Sequence, residues 1–68
     1  MTNQMAANIR LKAARVLKGL TQLQLADRVG RKEIEISRIE TGRATAPADL
    51  KRRIADVLQK PAFELFDC

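Results

Sequence analysis

Three carboxylates, Glu33, Glu35 and Glu40, share the stretch VGRKEIEISRIETGR (residues 29–43) with four cations, Arg31, Lys32, Arg38 and Arg43. Charged groups so arranged can pair along a helix, satisfy the orphan N–H groups of a first helical turn, or offer donors and acceptors to a ligand. They are poorly suited to catalysis here. The chain has no histidine, which removes the usual general base and a common metal ligand. With no plausible nucleophile–base pair, the expectation is that the protein is not an enzyme and that it needs neither a cofactor nor a metal. A single cysteine, Cys68, is the last residue. It cannot build a disulfide framework, which fits a reducing, cytoplasmic setting.

The chain of 68 residues is expected to form a single domain, 1–68. A chain of this size buries only roughly 60% of its unfolded surface, so its helices must pack well or it must oligomerise. No apolar run approaches the roughly 18 residues of a bilayer span, and nothing resembles a signal peptide. The net charge of +5 is unevenly spread. Residues 1–30 carry Arg10, Lys12, Arg15, Lys18 and Arg28 against Asp27 alone, whereas residues 44–68 balance four bases with four acids. A one-sided basic surface suits a polyanion, although it also serves simply to keep a small helical protein soluble.

The elements that must position these charges are helical, because Ala, Leu, Ile, Lys, Arg and Gln dominate and aromatics are scarce. A first helix is expected over residues 5–18, ended by Gly19. Thr21 with Gln24 three residues on predicts a capping box, and a second helix from Gln22 to about Val29. Gly30 breaks it. A third helix is expected from about Glu33 to Thr41, closed by Gly42. Pro47 fits the first turn of a fourth, whose buried stripe would be Leu50, Ile54, Val57 and Leu58. After Lys60-Pro61, AFELF reads as a last short turn or helix.

The pair of short helices around Gly30, residues 22–41, carries the most information. Two helices that cross steeply need a small residue at closest approach, which Ala26 supplies. The three-residue turn needs a positive φ, which Gly30 supplies. Ile36 and Ile39 anchor the second helix of the pair to the core, with Leu20, Leu25 and Val29 filling the remainder.

On these residues the string LTQLQLADRVG…EIEISRIETGR resembles the helix-turn-helix of the phage repressor and Cro-like regulators, the XRE type. RLKAARVLKGLTQ before it and ADLKRRIADVLQKPAFELF after it resemble the first and last helices of the same family. The resemblance implies an all-α, lambda-repressor-like bundle of about five short helices that binds duplex DNA. It implies a phosphate or base contact from Gln22, and phosphate contacts from Thr41 and Arg43. It places the third helix in the major groove, where Glu33, Ile34, Ser37 and Arg38 would read bases. It also implies an Arg15–Glu40 pair joining the first and third helices, in which the remaining N–H groups of Arg15 could face a phosphate.

The departures from the family pattern matter as much. Arg31 takes a turn position that is usually apolar, and Lys32 stands where a Ser or Thr usually caps the third helix. Carboxylates in that first turn then have a capping explanation. Glu35 is expected to be neutralised within the helix, by Arg31 at i−4 and Arg38 at i+3. Glu33 remains divided between capping and accepting from a cytosine N4 amino group. Ile34 can offer methyl contact to thymine. Arg38 can either reach guanine O6 and N7 or pair with Glu35. Phe63 stands where the family usually has a polar residue, in the region that often makes the dimer contact; it would serve a homodimer if exposed, or its own core if folded back. The implied function is a homodimeric transcriptional regulator, most simply a repressor on two half-sites. The alternatives are the antitoxin of a toxin–antitoxin pair, a restriction–modification controller, and a protein adaptor that has lost DNA binding.

Overall fold

The computed structural model describes residues 7–66, so Cys68 and the start expected for the first helix at residues 5–6 lie outside the described residues. Five helices follow in order: α1 Ile9–Leu17, α2 Gln22–Val29, α3 Glu33–Glu40, α4 Ala48–Leu58 and α5 Ala62–Leu65. No strand occurs among the described residues. The all-α bundle expected from the sequence is the observed fold.

Local chemistry sets the helix boundaries. α1 begins later than expected because Asn8 caps it: its Oδ1 accepts from the Leu11 N–H at 3.0 Å. α2 begins at the anticipated capping box, in which Thr21 Oγ1 accepts from the Gln24 N–H at 3.0 Å and Gln24 Oε1 accepts from the Thr21 N–H at 2.8 Å. At the far end Gly30 takes φ +72°, and the Arg31 N–H turns back to the Ala26 carbonyl at 2.9 Å. The nearest atom to a Cβ built on Gly30 would be Arg53 Nη1 at 4.0 Å. Conformation, not space, therefore requires glycine here. α4 ends in the same left-handed geometry on Gln59, at φ 57°, where a side chain has to tolerate it. Pro47 lies one residue ahead of the expected position, immediately before α4, and Thr41 closes α3 from outside.

One apolar core unites the helices. Leu11, Leu25, Ala26, Ile36, Leu50, Ile54, Leu58 and Leu65 are almost wholly enclosed. In α4 the buried stripe runs through Ala55, while Val57 only packs against its edge. By the 100° step Leu50, Ile54 and Leu58 form the centre of the stripe and Ala55 and Val57 flank it on opposite sides, so the packing of the neighbouring helices, not the period, buries the Ala55 side more fully. α2 packs on α3 and α4, and α5 closes the bundle between α4 and α1.

A charged pair lies within this core. Arg15 is 7% exposed and Glu40 4%. Arg15 Nε and Nη2 donate to the two Glu40 oxygens at 2.5 and 3.1 Å, and Arg15 Nη1 donates to the Leu20 carbonyl at 2.7 Å. The expected pair is present, bidentate and buried. Removing one member of such a pair leaves a buried charge uncompensated, at about 3–5 kcal/mol, comparable to the whole stability of a domain this small. Glu40→Gln is therefore expected to lower the urea midpoint sharply, followed by helical circular dichroism. Arg15→Met combined with Glu40→Leu should lose less than Glu40→Gln alone, even though the Leu20 carbonyl is left without its donor.

Candidate nucleic-acid interface

The turn of residues 30–32 delivers α3 to the surface with its core side fixed by Ile36, Ile39 and Glu40. The 100° step then sends Glu33, Ile34, Ser37 and Arg38 outward, with Thr41 continuing the strip. Glu33 and Arg38 are exposed, Ile34 is 51% exposed and Ser37 half-buried. All the expected base-reading residues thus share one accessible face of one short helix. An exposed Ile at its centre is the kind of residue that a thymine methyl could cover.

The two first-turn carboxylates behave differently. Lys32 holds the N-cap position with no side-chain acceptor to offer, since an ammonium only donates. Glu35 compensates by reaching back: its Oε1 accepts from the Lys32 N–H at 3.0 Å, and its Oε2 accepts from Arg31 Nη1 at 3.2 Å. The Lys32 N–H, then Arg31, hold the Glu35 carboxyl below its ordinary pKa. Arg31 also approaches Asp49 in the first turn of α4, at 3.6 Å. The expected Glu35–Arg38 pair does not form, because Arg31 and the backbone take both Glu35 oxygens. The Glu33 side chain makes no hydrogen bond or ion pair among the described residues, and it is exposed at the start of α3.

The expected phosphate-binding residues divide. Arg43 is exposed just past α3, where its N–H donates to the Arg38 carbonyl at 2.8 Å and fixes the loop. Thr41 differs from expectation, because its hydroxyl donates to the Ser37 carbonyl at 2.9 Å and its N–H donates to the same oxygen at 3.0 Å. It serves as a cap, with its proton turned to the helix rather than to a phosphate. Arg15 also differs: its burial and its bonds to Glu40 and Leu20 set it among the core residues. Gln22 is half-buried at the start of α2, and its Nε2 donates to Glu40 Oε1 at 3.0 Å. That bond orients Gln22 at the positive end of the α2 dipole, beside free first-turn N–H groups that suit an anion.

Three positioning contacts were not anticipated. Asn8 Nδ2 donates to the Leu65 carbonyl at 2.8 Å, Arg53 Nη1 donates to the Val29 carbonyl at 3.4 Å, and Lys18 Nζ donates to Gln59 Oε1. The Asn8 cap had a local signal, an Asn three residues ahead of the first core leucine of α1. The Asn8–Leu65 bond and the other two join residues far apart in the chain and had none.

The lowered Glu35 pKa fixes a pH signature. A depressed folded-state pKa gives stability that is present above the unfolded value and lost as pH falls through the folded one. Glu35→Gln should therefore be less stable than wild type at neutral pH, and the two urea midpoints should converge in acid.

A helix-turn-helix domain model matches residues 9–64. No curated protein matches significantly in sequence. Among solved structures, the chain is similar to the restriction-modification controller protein C.AhdI from Aeromonas hydrophila, with a TM-score of 0.80 and 29% identity over 87% of this chain and 86% of that one. The exposed strip on α3, the turn at Gly30 and a match along most of the chain lead to one assignment: the protein belongs to the XRE-like helix-turn-helix family of DNA-binding transcription regulators.

Proposed function

We propose that the protein is a cytoplasmic, sequence-specific repressor that binds a two-half-site operator as a homodimer. The carrying observation is the outward strip Glu33, Ile34, Ser37 and Arg38, which presents an acceptor, a methyl-bearing side chain, a hydroxyl and a guanidinium on one helix face. Arg38 suits guanine O6 and N7, and Glu33 suits the cytosine amino group. Glu33 also repels phosphates, which weakens binding to every wrong sequence and sharpens choice. Gln22, at the α2 N-terminus, and Arg43 supply the backbone contacts that set register.

A restriction–modification controller is the second reading, favoured by the likeness to C.AhdI along most of both chains. An antitoxin role is carried only by the family resemblance. An adaptor without DNA binding loses half its support, since Glu35 has an internal role in starting α3.

The direct test is selection of bound sites from random duplex DNA, followed by gel shifts at varied salt. Wild-type binding should weaken steeply with salt as counterions are released. Arg43→Ala should weaken all sequences alike and flatten the salt slope by about one unit. Glu33→Gln should raise non-specific affinity while lowering discrimination at one base pair per half-site by about 1–3 kcal/mol. If Glu33→Gln changes stability alone and leaves every base preference intact, Glu33 is only a helix-start residue.

Dimerisation is assigned to the α5 surface, where Phe63 is 75% exposed rather than folded back on the core. Phe63→Ala should shift sedimentation toward monomer and lower operator affinity with it. An unchanged dimer would remove Phe63 from the interface.

A further inference from the structure

A surface helix that buries one face is ordinarily polar on the other. α1 is not. Its core side carries Leu11, Ala14 and Arg15. Diametrically opposite, by the 100° step, stand Ile9, Ala13, Val16 and Leu17. Ile9 is 74% exposed, Val16 56% and Leu17 82%, and Ala13 is exposed between them. The helix is thus apolar on both sides, a pattern that suits an element with a neighbour on each. Within the domain α1 packs on α3 and α5, and those contacts leave the outer strip bare.

Charge selects among occupants. From Ile9 to Lys18 the chain carries Arg10, Lys12, Arg15 and Lys18 and no carboxylate. Lys12 is exposed beside the strip. A second copy laid strip to strip would bring the two exposed Lys12 ammonium groups toward one another, and residues 9–18 offer neither of them a carboxylate. Duplex DNA would satisfy the cations but leave three aliphatic side chains against phosphates. The strip spans nine residues, or about 14 Å at the helical rise, short for an interfacial membrane helix. A partner that brings both aliphatic groups and carboxylates answers both features.

We infer that the outer face of α1 docks an acidic amphipathic helix of a partner protein. The partner's aliphatic positions at i, i+3, i+4 and i+7 lie on Ile9, Val16 and Leu17, and its carboxylates flank them toward Lys12. Ala13, at the centre, lets the two backbones approach. This surface lies on a helix outside the reading strip of α3, so the inference stands independently of the DNA-binding role.

The experiment titrates the isotope-labelled full chain with a synthetic helical peptide carrying Leu at those positions and Glu on either side. Controls are the same peptide with Gln for Glu, the same with Lys for Glu, and vesicles of anionic lipid. The acidic peptide should shift the amide resonances of residues 9–17, and the Lys version should not. Leu17→Ser and Lys12→Glu, both at exposed positions, should each weaken binding about tenfold. Leu17→Ser should leave the DNA gel shift unchanged. Equal binding of the acidic and basic peptides, or indifference to Lys12→Glu, would overturn the charge argument. Vesicle binding without peptide binding would assign the face to a membrane. Self-association abolished by Leu17→Ser would assign it to a second copy. Either of those results would overturn the inference.

Discussion

Burying the Glu40 carboxylate obliges the chain to bring donors to it, and they come from two other helices. Arg15 of α1 supplies two N–H groups and Gln22 of α2 a third. A third N–H group of Arg15, on Nη1, reaches the Leu20 carbonyl, in the link between those same helices. Four points of the bundle are therefore tied through one polar cluster, and every member is satisfied. An apolar core alone would hold the helices together but would permit sliding and rotation, since aliphatic packing is only loosely directional. Bidentate geometry is not loose. It sets the rotation of α3 about its own axis, and hence which of its side chains face outward.

The acidic start of α3 follows from a related economy of partners. Lys32 at the cap position cannot accept a hydrogen bond, so the backbone needs an acceptor from elsewhere. Glu35 provides it at the cost of the Glu35–Arg38 pair that spacing would also allow. Arg31, in a turn position where an apolar residue is usual, becomes the link between Glu35 and Asp49 of α4. The result leaves Arg38 exposed and the Glu33 side chain without a partner among the described residues, five residues apart on the exposed part of α3 and opposite in sign. The exposed surface of α3 therefore carries charge of both signs rather than cations alone.

Much of this was legible in the sequence because it is locally encoded. The Thr21–Gln24 box, the turn at Gly30 and the inward Ile36 and Ile39 depend on neighbours three or four residues away, where periodicity and capping rules operate. The Arg15–Glu40 pair came from family resemblance; spacing alone could not join residues 25 apart. What was misjudged depends on competition between partners. Thr41 carries a local role that competes with the expected phosphate contact, since its hydroxyl donates to the Ser37 carbonyl. Arg38 looked like a partner for Glu35 until the Lys32 N–H and Arg31 claimed both oxygens. Val57 and Ala55 exchanged roles because they flank the stripe of Leu50, Ile54 and Leu58 on opposite sides, and which side the neighbouring helices cover is a tertiary matter that periodicity leaves open.

Asn8 makes three hydrogen bonds to three parts of the fold. Its side-chain oxygen holds the start of α1, its own N–H donates to the last carbonyl of α3 at 2.8 Å, and its amide nitrogen holds the last carbonyl of α5. The C-terminus of α3 and the C-terminus of α5, the helix bearing Phe63, thus share a single residue as their common joint. Whatever displaces α5 strains that joint, and whatever reorients α3 strains it from the other side. Loss of this one amide side chain would therefore loosen the start of α1 and the end of α5 together.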